Sequence, residues 1–357
     1  MDKIAITDIL LELLSASGVS GDETAAVEIA ERYLKPYAPE IKRDRFGNLL
    51  AFRPGTRTLK KDKITLAIVA HIDEIGAMVT KIEEGGFLRF TGIGGFDART
   101  LPGQTVEVFG KRKRRGVIGA SPPHILTEKE KRSTIPMNKL FIDLGLDEKT
   151  VKREINVGDR ITLEQEPVLM SDSRMITGKA LDDRAGVATL IACASELSGL
   201  QHSADICFIA SMQEEVGLRG AITAAYGLNP DLAVAVDVTH GDMPKLEAGS
   251  FYKLGGGPAL AVGPNLHPLL SRHLQELAAA HFLPYQIEAI PGRSGTDAWA
   301  FQVSREGIPT ALLSLPLRYM HTAVEMINLD DLKVSARLLS YFARSVDSSL
   351  LEELKKC

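Results

Sequence analysis

Two adjacent carboxylates, Asp182 and Asp183, sit inside Gly178-Lys-Ala-Leu-Asp-Asp-Arg-Ala-Gly186, just before a helix predicted over about 185–197. A helix N-terminus favours negative charge, because its first N–H groups lack intrahelical partners and its dipole is positive there. Capping by aspartate would therefore explain this pair on its own. Four other segments weaken that explanation: His71, Glu214-Glu215, Asp237 and His321 each end or follow an apolar run. Two imidazoles and at least three carboxylates, without cysteine, form a donor set for zinc, cobalt or manganese and not for a structural zinc knot. An odd number of carboxylates with one central aspartate invites a bridging role for Asp182 between two metal ions, which would lie about 3.5–4 Å apart.

The remaining roles follow from spacing, each beside a plainer explanation. His71 and Asp73 are two apart in extended chain, so both side chains point one way and Asp73 can orient the His71 ring. Adjacent carboxylates repel unless cations lie between them; Glu215 is assigned to a metal and Glu214 to the bridging water as general base. An acidic turn at Glu214-Glu215, a loop cap at Asp237 or a buried polar His321 would explain any one residue. Five such coincidences are harder to maintain. Thr296 and Asp297, opening a helix after a Gly-rich turn, are assigned to the substrate wall, with capping by Ser294 or Thr296 equally open.

These residues need elements that converge. The apolar runs 64–70, 206–212, 232–236 and 310–315 have strand length and read as strands buried on both faces, as in a parallel sheet covered by helices. Helices are predicted over 4–14, 24–34, 219–226 and 268–282, and from 329 past 342, with Asn328 as a cap. The site residues lie at or beyond the C-terminal ends of strands, the edge at which open parallel sheets bind ligands.

The texture changes from residue 83 to 170, where Gly-containing turns separate short alternating stretches. This pattern predicts a small antiparallel β domain inserted into the α/β one. The chain then divides into a catalytic domain of 1–74 and 171–357 and an insertion of 75–170. The basic run Lys111-Arg-Lys-Arg-Arg115 falls within the insertion; without interleaved aromatics it reads as a solvated hairpin tip, not a nucleic-acid patch. The charged stretch 127–138 is assigned no structure, and Asp44-Arg-Phe-Gly-Asn48 is read as a hairpin turn.

Composition sets the frame. The 357 residues carry a formal charge of −4 with both signs interspersed, which argues against a general nucleic-acid or membrane binder. No apolar run is long enough to span a bilayer, and the acidic, amphipathic N-terminus does not read as a signal peptide. Cys193, Cys207 and Cys357 form no paired framework; core thiols in a reducing compartment, and hence a cytoplasmic protein, are expected.

The blocks Ala70-His-Ile-Asp-Glu-Ile-Gly76, Gly178 to Gly186, Gln213-Glu-Glu-Val-Gly-Leu-Arg-Gly-Ala221, Val236-Asp-Val238, Gly295-Thr-Asp-Ala298 and Arg318-Tyr-Met-His321 closely resemble the tetrahedral (TET) aminopeptidase family. This group of dinuclear-metal exopeptidases includes glutamyl and deblocking aminopeptidases, and the similarity runs over nearly the whole chain. The resemblance implies that His71, Asp182 and Asp237 hold one metal and Asp182, Glu215 and His321 the other. It implies Glu214 as base, Asp73 as the residue orienting His71, and a cis peptide after Asp182. It also implies a PDZ-like dimerisation role for the inserted barrel, and dimers that assemble into hollow dodecamers. One departure is visible: the family usually continues His-Ser/Thr-Pro, whereas this chain has His321-Thr-Ala323.

The expected reaction is metal-dependent hydrolysis of the N-terminal bond of short peptides with a free amino group, using two ions, zinc or cobalt. A deacylase or carboxypeptidase on the same fold and a metal-stabilised scaffold without turnover are the alternatives. An intact Glu214 argues against the scaffold. The endoglucanase label also used in this family fits poorly, since a glycosidase normally needs two carboxylates astride the sugar and no metal.

Overall fold

The computed structural model describes residues 5–56, 63–244 and 251–356. Residues 1–4, including the expected helix start at Ile4, and Cys357 lie outside this range.

The four long apolar runs form the centre of an 11-stranded sheet. Strands Asp205–Ser211, Thr65–His71, Leu232–His240 and Thr310–Arg318 lie side by side and parallel. Alternation along them gives each face its own core. Leu66, Ile68 and Ala70 join one apolar cluster with residues of helices Ile6–Ser15, Leu181–Glu196 and Leu329–Ser345. Ala67 and Val69 join another with Ala221 and Phe301, from helices Arg219–Leu228 and Asp297–Gln302. Burying each large aliphatic side chain in such a core contributes about 1.5–3 kcal/mol.

The sheet is mixed, parallel at its centre and antiparallel towards its margins. The hairpin Glu40–Arg43/Leu49–Arg53 adds antiparallel strands on one side. Its turn is held by the Asp44 carboxylate, which accepts from the N–H groups of Phe46, Gly47 and Asn48. On the other side Glu325–Asn328, Met175–Gly178 and Val168–Leu169 pair antiparallel in turn. A parallel pair, Ala259–Val262 and Gln286–Ala289, attaches antiparallel to Thr310–Arg318.

Strands Gly76–Ile82, Leu88–Ile93, Thr105–Phe109, Lys113–Gly119, Phe141–Asp143 and Arg160–Leu163 close into a separate antiparallel barrel with its own core, including Val79, Val108 and Ile142. The basic run lies at a hairpin of this barrel. Lys113 pairs with Glu107, Arg114 with Glu154 and Arg115 with Glu164, so three of its five charges are committed to neighbouring acids. The stretch left unassigned contains a short exposed helix, Glu128–Lys131, closed by a Thr127–Glu130 capping box. Cys193 and Cys207 are free, buried thiols. No described helix is long and apolar enough to cross a membrane.

Candidate active site

Strand register sets the site. His71 and Ser211 are register partners at the ends of adjacent parallel strands. On the other side Ala235 pairs with Val69, which brings Asp237 level with His71. Glu214 and Glu215 follow Asp205–Ser211, and His321 follows Thr310–Arg318. Asp182 arrives from the sheet's far side at the head of helix Leu181–Glu196, where Asp182 and Asp183 depart from helical geometry and share a cis peptide bond. Gly186 has a local reason: a Cβ there would lie 2.3 Å from Asp183 Oδ2.

The sequence-predicted set converges. Asp182 Oδ1 lies 3.0 Å from His71 Nε2, and Oδ2 lies 3.3 Å from His321 Nε2. His321 Nε2 is also 3.4 Å from Glu215 Oε1, and His71 Nε2 is 4.0 Å from Asp237 Oδ1. Two groups have donor atoms all within 4.8 Å of one another: His71/Asp182/Glu215 and His71/Asp183/Asp237. The second contains Asp183, to which the sequence reading gave no role. Asp73 Oδ1 is 3.5 Å from His71 Nδ1. The Asp73 carbonyl oxygen is nearer that ring nitrogen, at 3.2 Å, while the carboxylate accepts the N–H of Glu214 at 2.9 Å and of Glu215 at 3.2 Å and so fixes the acidic turn. His71, Asp182, Glu214, Glu215, Asp237 and His321 all line one cleft of about 640 Å³.

A family model described as M42 glutamyl aminopeptidase matches residues 47–338. The chain belongs to that family. It is 35% identical to the lysyl aminopeptidase of Pyrococcus furiosus over 98% of this chain and 97% of that one. The crystal structure of a TET aminopeptidase from a marine-sediment Thaumarchaeota archaeon superposes with a TM-score of 0.92 at 29% identity, covering 98% and 99% of the two chains. The Pyrococcus horikoshii TET1 peptidase superposes with a TM-score of 0.83 at 31% identity, over 96% and 100%. This M42 chain is accordingly an aminopeptidase of a metal-dependent family, and its fold is that of the TET peptidases.

This M42 site gathers buried carboxylates around two imidazoles. Burial raises the carboxyl groups of Asp183 and Asp237 well above the usual range and pushes Glu214 up to about 10, with Asp237, Asp297 and Glu215 adding to the Glu214 shift. Burial also raises Glu215. Hydrogen bonds to Asp182 and Glu215 lift His321 to about 11. Burial pushes His71 down, but Asp182 and Asp73 outweigh it and hold the ring well above its ordinary value. Protons gather where several carboxylates are buried together, and a divalent cation could take their place. Asp183 Oδ2, buried and without a hydrogen-bond partner, fits the same reading.

The two expected wall residues part company. Thr296 lines the cleft and caps its helix, accepting from the Ala298 N–H. Asp297 is not on the wall: it is 1% exposed and accepts a hydrogen bond from the Ser211 hydroxyl.

Sequence reasoning missed the supports beneath the cluster. Glu325 Oε2 accepts from the Asp182 N–H at 3.1 Å and Oε1 from the His321 N–H at 2.8 Å. Glu74 binds Lys179 at 2.7 Å, and Arg184 donates to Leu13 O and Ala16 O, so the Asp182-Asp183 segment is anchored on both sides. The only signal for these was their position within or next to the blocks that carry the ligand candidates.

Proposed function

We propose that this aminopeptidase removes N-terminal residues from short peptides with a dinuclear metal centre and Glu214 as general base. His71, Asp182 and Asp237 would hold one divalent ion, zinc or cobalt, and Asp182, Glu215 and His321 the other. The position of the Asp182 carboxylate between two imidazoles carries this reading. Such a metal pair, when bound, polarises the scissile carbonyl and lowers the pKa of water.

Glu214 takes the proton from the attacking water and delivers it to the leaving amine. Its backbone is held by Asp73, so the base is presented on a fixed turn. Asp73 also keeps Nδ1 of His71 occupied, which leaves Nε2 for the metal side. The carboxylates around the cleft favour a free, positively charged α-amino group, which supports an exopeptidase over a deacylase. The chain would act as a homo-oligomer, joined into dimers through the barrel and on into dodecamers. The horikoshii relative, described as assembling into a tetrahedron or a large octahedral shell, supports such an assembly. The test is release of aniline from aminoacyl anilides after chelation and again after zinc or cobalt addition, beside N-acylated anilides. Metal-restored aniline release from the free-amine substrates alone is expected; release of the acyl group as free acid from the N-acylated ones would replace this reading with a deacylase.

A further inference from the structure

The strand that carries Asp237 continues into a second polar feature of the same cleft. Thr239 lies on the same face two residues further on, about 6.6 Å along the strand. Its Oγ1 donates to Glu288 Oε1 at 2.5 Å. Ser314, the register partner of Asp237, lines the same cleft on the neighbouring strand. Glu288 is 8% exposed and lines the cleft together with His71 and Glu214. Its Oε2 is buried and has no hydrogen-bond partner among the described residues.

A carboxylate in that position is costly unless a cation reaches it, and one hydroxyl satisfies only part of its acceptor capacity. Ile290, Leu312 and Met320 also line the cleft and supply apolar surface. An apolar wall with a buried acid suits a long side chain with a methylene stem and a positive head.

We propose that Glu288 is a specificity-determining residue that selects peptides whose first residue is lysine or arginine. The inference rests on the aminopeptidase reading above. Among the described residues, two other ionisable groups line this part of the cleft, and both are exposed. His240 stands at the strand end, and Arg293 at the rim has its guanidinium 4.3 Å from the centre of the Trp299 ring. Arg293 would favour acidic side chains, the opposite preference. Solvent screens an exposed charge far more than a buried one, so Glu288 dominates.

The test compares lysyl, arginyl, leucyl and glutamyl anilides on the metal-replete wild type and on Glu288→Gln, with thermal denaturation to establish that both are folded. In the wild type, kcat/KM for the cationic substrates should exceed that for leucyl anilide by at least about tenfold, and the Gln variant should lose that ratio. An unchanged lysyl-to-leucyl ratio in the variant would overturn the proposal, because Glu288 would then act on features common to all substrates. A wild-type preference for glutamyl anilide would also overturn it and point to Arg293. Absence of turnover on every anilide would count against the aminopeptidase reading instead. The pocket is then judged by calorimetry with free lysine and free leucine: a lysine preference lost in Glu288→Gln supports it, and equal binding refutes it.

Discussion

One carboxylate reaches both imidazoles of the site: Asp182 Oδ1 is 3.0 Å from His71 Nε2 and Oδ2 is 3.3 Å from His321 Nε2. His71 ends one strand and His321 lies in the turn after another, 250 positions further along the chain. Glu325 supports the arrangement from below by accepting the backbone N–H of Asp182 and of His321. Any change at Asp182 should therefore be felt on both sides.

Replacing the shared residue tests the bridge. Asp182→Asn keeps the size of the side chain but removes its charge, and elemental analysis should find both ions lost or weakly held, with activity down more than about 100-fold. His321→Gln touches one side only and should retain one tightly bound ion. Retention of two ions by Asp182→Asn would contradict the bridging role.

The base is separable from the metal. Glu214 is not needed to hold ions in the proposed arrangement, so Glu214→Gln should keep its metal content and lose about 10²–10⁴-fold in kcat. A parallel loss of metal would make Glu214 a ligand instead.

Asp73 acts through others. Its carboxylate receives the N–H groups of Glu214 and Glu215 and the Ser20 hydroxyl, the last at 2.5 Å. Asp73→Asn turns one acceptor oxygen into a donor facing an N–H, so the acidic turn should shift. A loss of about 10–100-fold in metal affinity, read by competition with a chelator, is expected. Unchanged affinity would leave Asp73 without a positioning role.

Much of this was legible before any coordinates, for a physical reason. Apolar runs such as 64–70 are long enough to be strands and too uniformly apolar to have a solvent face, so a parallel centre followed, and with it the edge where His71, Asp237 and Glu214 meet. Asp183 could have been found from its neighbour, but adjacency alone does not say which of two carboxylates faces the ring. Glu325 and Glu288 stand in four-residue strands whose pairing is set by distant partners, and such short segments carry no periodic signal. Asp297 was misplaced because the direction of a side chain in a first helical turn depends on how the helix is rotated against the sheet. The antiparallel margins have the same origin as the missed acids: Val168–Leu169 is two residues long and pairs only because Met175–Gly178 lies beside it.

The barrel offers a test of assembly. It is tied to the rest of the chain by polar links, Arg160 to Asp22 at 2.6 Å and Thr162 to Glu74 at 3.2 Å, and its apolar core takes in Ala323 from the segment after His321. Replacing the barrel strands with a short linker should reduce the particle measured by light scattering to a monomer while the metal ligands remain. An unchanged particle size would remove the barrel from the interface.

Glu23 gives a pH-dependent stability that does not pass through catalysis. Its Oε1 accepts from the N–H groups of Gly21 and Gln213, its Oε2 is buried without a partner among the described residues, and burial pushes its carboxyl up to about 7 from 4.5. Because the folded value is the higher one, the folded protein binds the proton more tightly than the unfolded chain. The contribution is therefore full below about pH 4.5 and is lost as the pH rises towards and through 7. Glu23→Gln mimics the protonated form and should not show this loss. Its stability relative to wild type should grow between pH 4.5 and 8 by up to about 3 kcal/mol. Denaturant unfolding at several pH values reads this directly. Wild-type and variant curves that run parallel across the window would mean that Glu23 keeps its charge when folded, and that the Gly21 and Gln213 N–H groups compensate for its burial.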